Sequence, residues 1–363
     1  MMPFGREEYL QRLVRVKAGM KERGIDLLVV TDPANICYLT GYNAWSFYVH
    51  QAVMVAMNDE MPRFIGRYMD AFCGAVKTTW LNADHVHAYS DDHVQSTVKH
   101  PMDYMAGIIR EMGCGNATIG LEKDAYYFTA TAFESLRKGL PGDRLVDATA
   151  LVNWVRILKS DVEIAMMRKA GKIVEQAMQA AYDTIGAGAR ECDVAAAIMQ
   201  AQVKGTAEFG GDYPSIVPLL PRGETSRYHS PLSRTVSLGQ PSQEVRRVAA
   251  ITLEGLDAAL ATVKPGVACE EVEAAWRKVL AKYGYAKESR IGYSIGLNYP
   301  PDWGEHTASL RPGDRTVLQP NMTFHCIPGM YFDDFGVSIS EAFRVTASGY
   351  ETFAQFPREL YVK

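Results

Sequence analysis

DATALVNWVRILKSDVEIAMMRKAGKIVEQAMQAAYDTI, Asp147 to Ile185, changes character near its middle. From Asp161 onward its apolar residues recur at helical spacing, and Ser160 or Asp161 stands where an N-cap belongs. A short oxygen-bearing side chain at that place accepts a hydrogen bond from a first-turn N–H that has no partner inside the helix. The pattern before Ser160 is shorter and different, so the boundary between two domains, 1–155 and 156–363, is placed here. A chain of 363 residues exceeds the size at which one core usually stops growing, which also favours two domains.

Toward the N-terminus, Tyr9 to Arg23 reads as an amphipathic helix, followed by the apolar run GIDLLVV, which ends at Thr31-Asp32-Pro33 and reads as a buried strand. Strand-like runs follow at Ala52 to Met57, Arg63 to Ile65 and Thr118 to Glu122, with a helix at Pro101 to Met112. Toward the C-terminus, three more helical patterns cover Glu191 to Lys204, Gln243 to Val263 and Cys269 to Tyr283, with strand-like segments between and after them. The class is α/β (α+β) in both halves. No short-period repeat is visible, although two helix pairs would suit a pseudo-twofold arrangement.

Composition narrows the function classes. With 47% hydrophobic and 22% charged residues the chain is ordinary for a folded globular protein. A net charge of -4 and the lack of a basic run argue against nucleic acid. The start MMPFGREEYLQRL carries acids and no apolar h-region, and no apolar stretch is long enough to cross a bilayer. The 6 cysteines are scattered without CxxC pairs, which fits reduced thiols in the cytoplasm and gives no sulfur-based zinc site.

Four further strings fall in a recognisable order: VRILKSDVEIAMMRKA (Val155 to Ala170), RIGYSIG (Arg290 to Gly296), LQPNMTFHCIPGMY (Leu318 to Tyr331) and GVSISEAFRVT (Gly336 to Thr346). Together they resemble the catalytic domain of the creatinase and aminopeptidase P superfamily, the pita-bread proteins, and TDPANICYLTGY (Thr31 to Tyr42) resembles that superfamily's N-terminal domain. The peptidases of the superfamily hold two metal ions with two Asp, one His and two Glu. In this sequence the His position falls on Tyr293, the two Glu positions on Ile327 and Ser340, and the second Asp position on Pro231 of YHSPLSRT. Isoleucine and proline side chains have no lone pair for a hard cation, so the resemblance implies a site without a catalytic metal or other cofactor.

Longer strings narrow the likeness: GYNAWSFYVHQ (Gly41 to Gln51), YSDDHVQSTVKHPMDY (Tyr89 to Tyr104), EFGGDYPSIVPLLP (Glu208 to Pro221) and NYPPDWGEHTASLRPGDRTVLQPNMTFHCIPG (Asn298 to Gly329). They look like the ectoine hydrolase branch more than creatinase. Between Leu220 and Tyr228 that branch carries some tens of further residues, including a substrate-facing His and an acidic position on a core strand, where this sequence has only PRGETSR. Loss of a core strand should be ruinous, so the expectation is a stretch left out of the sequence, and an incomplete set of visible site residues.

The branch implies a small substrate, ectoine and by extension hydroxyectoine, opened by water to an N-acetyl-diaminobutyrate. A peptide carbonyl is a neutral, poor electrophile and needs a Lewis acid. Ectoine is a cyclic amidinium bearing a carboxylate, so its reacting carbon is already electron-poor, and two divalent cations beside it would repel it. Ring opening needs a nucleophile at that carbon and a proton for the departing nitrogen. Glu341 and His325 are the candidate catalytic groups, His325 lying two residues before Ile327 and hence on its face of a strand. The ordinary alternatives are a hydrogen-bonded core histidine and a buried acid paired with an arginine.

Tyr293, His306 and Tyr228 are candidate substrate-binding residues, Tyr228 being preferred to its neighbour His229 because alternation gives the two opposite faces. In creatinase-like dimers the N-terminal domain of one subunit closes over the other's site. This makes Trp45, Phe47, Tyr48 and His50 a candidate aromatic cap over the cation, and implies a homodimer. Asp91, Asp92 and His93 read as a solvated turn. A neighbouring amidinohydrolase acting on another small amidinium acid, and a non-catalytic relative that binds a solute or a protein, are the competing readings.

Overall fold

The computed structural model describes residues 3–43, 46–114, 116–212, 222–223, 226–302 and 304–363. It divides into two compact units, Met1–Val155 and Arg156–Lys363.

The first unit is built on a six-stranded mixed sheet. Its strands are β1 (Leu27–Val30), β2 (Ala52–Ala56), β3 (Arg63–Arg67), β4 (Val86–Tyr89), β5 (Thr118–Leu121) and β6 (Arg144–Asp147), in the order β4-β3-β2-β1-β5-β6. The central strand reads LLVV and is buried on both faces, which explains its unbroken apolar run. Its longer helices are α1 (Arg6–Glu22), α2 (Pro33–Thr40), α3 (Pro101–Glu111) and α4 (Ala130–Gly139). Met102, Met105 and Ile109 of α3 and Leu136 of α4 pack with Leu27, Val29 and Ile119 of the sheet in one core. At the turn between β1 and α2, Asp32 caps the helix by accepting from the N–H groups of Ala34 and Asn35. The buried Glu122 carboxylate accepts from Thr31 N–H at 2.7 Å, Asp32 N–H at 2.8 Å and Asn35 Nδ2 at 2.6 Å. Burial pushes its carboxyl up to about 7.

The second unit contains α5 (Asp161–Thr184), α6 (Glu191–Lys204), α7 (Gln243–Thr262) and α8 (Cys269–Lys282), in two packed pairs, α5 with α6 and α7 with α8. Ser160 caps α5 in a capping box with Glu163, whose side chain accepts the Ser160 N–H in return. The α7–α8 pair closes tightly at Gly255, where a Cβ would stand 2.2 Å from the Trp276 ring, so only glycine fits. A five-stranded antiparallel sheet is made from β7 (Gly292–Ser294), β8 (Ser309–Leu310), β9 (Thr323–Cys326), β10 (Glu341–Val345) and β11 (Tyr350–Thr352), in the order β8-β7-β9-β10-β11.

The register splits this sheet into two unlike faces. Residues directly opposite one another point to the same side, and neighbours along a strand to opposite sides. Phe324 faces Phe343 across the β9–β10 ladder, and with Leu310, Cys326 and Val345 they join Val248, Leu256, Val272 and Trp276 of α7 and α8 in an apolar core. The other face carries Tyr293, Ser309, Thr323, His325, Ala342 and Arg344. Tyr293 and His325 are thereby presented together on one side, and Glu341, opposite Cys326, on the other.

Candidate active site

Tyr293 of β7 and His325 of β9 are directly opposed in the sheet, and the phenol oxygen lies 2.9 Å from His325 Nδ1. The other ring nitrogen, Nε2, lies 2.8 Å from Ser340 Oγ, just before β10. Ser340 Oγ in turn accepts the Ser233 N–H at 2.7 Å. A continuous chain of proton carriers thus runs from Ser340 through both nitrogens of one imidazole to a phenol. Its two tautomeric arrangements differ by moving every proton one step along the chain.

Burial and the nearby charges of His229 and Arg234 push the His325 imidazole down to about 3, so it is neutral at ordinary pH. Burial also holds the Tyr293 phenol well above its ordinary value, against the opposing influence of Arg290, so it keeps its proton. The chain is therefore uncharged.

Glu341 is not part of it. Glu341 pairs with Cys326 in the ladder and so points to the face opposite His325, where it accepts from Arg234 Nη2 at 2.7 Å and Arg358 Nε at 3.1 Å. The structure therefore corrects the expectation that Glu341 and His325 share one reaction centre. Glu341 is a buried acid held by two arginines, at the polar end of the apolar face. Burial keeps its carboxyl raised even against the two guanidiniums. Arg234 binds Ser340 O, Phe356 O and Pro357 O as well, joining the YHSPLSRT segment to β10 and to the C-terminal segment.

Of the neighbouring pair, Tyr228 donates its hydroxyl to Glu163 at 2.6 Å, which ties it to the capping box of α5. His229, fully buried, is the member whose charge bears on His325. His306 is exposed, has a positive φ of 55°, and pairs with Asp302. It borders a cavity of about 240 Å³ shared with Tyr293, Arg290 and Arg311.

In the first unit, Phe47 packs edge-on against Tyr127, Tyr48 hydrogen-bonds to Arg67 with the guanidinium over its ring, and His50 lies against His100. Tyr48 and His50 share a cavity of about 150 Å³ with His93 and His100. Trp45 lies outside the described residues. Asp91 to His93 form an exposed single turn, with Asp92 ion-paired to Lys99.

Sequence reasoning missed Arg234 and a second buried knot, Lys159 with Glu305 at 2.6 Å beneath Gly296. Desolvation pulls Lys159 down and Glu305 up, while their mutual attraction opposes both shifts. The Glu163 signal was present in the S-x-x-E spacing after Ser160.

The metal positions were tested on this geometry. Tyr293 is a protonated phenol, Ser340 is committed to His325 and Ser233, and Ile327 and Pro231 offer no side-chain donor. Both nitrogens of His325 are hydrogen-bonded. Among the described residues no three His, Cys, Asp or Glu side chains converge on one point. The residues present do not fit a pair of divalent ions.

Comparison with known proteins follows both units. Residues 12–158 match the creatinase/prolidase N-terminal domain, and residues 165–226 and 222–347 match metallopeptidase family M24 in two pieces that meet in the PRGETSR segment. The ectoine hydrolase of Halomonas elongata is 42% identical across 100% of this chain and 99% of its own length, over an alignment of 396 positions. The alignment is longer than the 363 residues of this chain by some tens of positions. A prolidase from Thermococcus sibiricus superposes with a TM-score of 0.84 at 21% identity, covering 99% of this chain and 100% of the other. The X-Pro aminopeptidase of Thermotoga maritima gives 0.78 at 22%, covering 97% and 99%. The fold is the expected α/β one, a creatinase-type N-terminal domain followed by a pita-bread domain. With both halves accounted for, the chain belongs to metallopeptidase family M24, among the proteins that carry a creatinase/prolidase N-terminal domain.

Proposed function

We propose that this protein opens the ring of ectoine by hydrolysis, giving N-acetyl-diaminobutyrate, and that it does so without a metal. The observation that carries this is the Tyr293–His325–Ser340 chain: neutral proton carriers stand where the peptidases keep Lewis-acid ligands. The full-length likeness to an ectoine hydrolase supports the substrate. Water adds to the amidinium carbon, the carbon–oxygen bond forms, and a proton leaves the water. The ring carbon–nitrogen bond then breaks and the departing amine takes up a proton. His325, neutral, holds the proton in transit, and Tyr293 presents a phenolic hydrogen at the end of the chain. Glu341 holds Arg234 and β10 in place and takes no part in the proton transfers.

A cytoplasmic homodimer belongs to the same proposal. All six cysteines are free, and no described helix is long and apolar enough to cross a membrane. Phe47, Tyr48, His50 and Trp45 keep their proposed place as a cap contributed by the partner copy. Hydroxyectoine is the expected second substrate.

The two-piece M24 match favours one other reading, a solute-binding relative without turnover, since the pieces meet in PRGETSR, where the branch carries a longer segment with a substrate-facing His. Incubation with ectoine, creatine and a proline dipeptide, followed by mass spectrometry, separates the possibilities. Gain of one water by ectoine alone is the expected result. Creatine cleavage in preference to ectoine moves the chain to amidinohydrolysis, and binding of ectoine without conversion leaves the solute-binding reading.

A further inference from the structure

The cavity beside Tyr293 has an unbalanced charge. Its walls include Arg290, Tyr293, Asp302, His306, Ser309 and Arg311, around a volume of about 240 Å³. The Arg290 guanidinium lies 4.8 Å from the centre of the Tyr293 ring and gives one hydrogen bond, at 3.0 Å, to Ser309 Oγ. Among the described residues neither Arg290 nor Arg311 has a carboxylate within ion-pair distance. The one carboxylate in the cavity, Asp302, is already engaged by His306 and by the Gly304 N–H. Two guanidiniums therefore face a small space with their remaining donors unmatched by acid. A planar fork of N–H groups is the geometry that takes a carboxylate by two parallel hydrogen bonds.

Asp302 also shapes what can enter. A dianion such as phosphate would be repelled by it, whereas a molecule carrying a positive centre along with its carboxylate would meet favourable charge on both sides. Tyr293 is shared between this cavity and the His325 chain, so a ligand anchored at Arg290 is held beside the phenolic end of the proton path.

We propose that Arg290, assisted by Arg311, is the anchor for the carboxylate of a small zwitterionic substrate, and so fixes which part of the ring lies against Tyr293. The identity of that substrate rests on the ectoine reading; the anchor itself rests on the cavity. Arg290 is exposed, so Arg290→Gln should fold as the parent does.

Calorimetric titration of the full chain tests this with three probes: ectoine, the same methylated tetrahydropyrimidine ring lacking its carboxylate, and pipecolate, a six-membered ring with a carboxylate but no amidine. Arg290→Gln should weaken ectoine and pipecolate by about tenfold or more, the loss of a charge-assisted pair, with a smaller loss for Arg311→Gln. Binding of the ring without a carboxylate should stay within about twofold of the parent. Unchanged ectoine affinity in Arg290→Gln overturns the anchor, as does an equal loss for the ring with and without the carboxylate. If the parent binds pipecolate but not ectoine, the anchor stands and the substrate reading falls; if it binds neither carboxylate, both fall.

Discussion

At the scale of single residues, the site depends on an imidazole that does not titrate in the usual range. His325 has both ring nitrogens occupied and its proton affinity lowered to about 3. Its ring signals in nitrogen-detected NMR should therefore stay at neutral-tautomer positions from pH 8 down to about 5. An unfolded chain protonates the same group near its ordinary value of 6.5, so between that value and about 3 the unfolded state holds more protons. Stability from this residue is thus complete above about 6.5 and is lost as the pH falls. Tyr293→Phe keeps the ring and removes the phenolic hydrogen. Turnover should fall by about a hundredfold or more while ectoine affinity, measured calorimetrically, changes little; a normal rate in this variant removes Tyr293 from the proton path. Tyr293, His325 and Ser340 were legible in the sequence because the motifs keep their order and spacing. The role of Glu341 was not. Parity puts Ser340 and Glu341 on opposite faces, but only the register, with Cys326 opposite Glu341, says which of them His325 meets.

At the scale of elements, two joints carry much of the second unit. Glu341 neutralises Arg234, whose guanidinium is fully buried, and Arg358. Glu341→Ala strands those charges and should cost about 3–5 kcal/mol in urea unfolding, with loss of activity following loss of structure. If the purified variant is as stable as its parent but inactive, Glu341 returns to the list of catalytic groups. The α7–α8 joint at Gly255 leaves no room for a methyl group against Trp276. Gly255→Ala should lower stability by about 1–3 kcal/mol through overpacking, despite alanine's better helix propensity. Helices α5 to α8 were readable from their helical patterns, and α5 also from its Ser160 cap. The short strands were not: Ser309–Leu310 and Gly292–Ser294 are too brief to show a period, and exist because their partners hold them.

At the scale of the molecule, the division near residue 155 falls where the helical pattern of α5 begins, and each unit has a core of its own. The proposed metal independence is checked on the whole protein. Activity toward ectoine should survive exhaustive chelation, and elemental analysis should find no stoichiometric zinc, manganese or iron; activity lost with a removed metal and restored by it overturns the metal-free reading. Light scattering should give the mass of two 40.2 kDa chains. The stretch absent between Leu220 and Tyr228 was visible in the sequence as a break in an otherwise continuous likeness.

The two-faced sheet has a consequence for how sequence variation would be read. Along Thr323 to Cys326 and Ala342 to Val345 the two requirements alternate residue by residue. A library scored for soluble abundance should penalise changes at Phe324, Cys326, Phe343 and Val345, whereas the same library scored for product formed per molecule should penalise His325 in particular. The two profiles would run one residue out of phase along each strand. Abundance alone would then point to the wrong half of the positions as the ones that matter for chemistry.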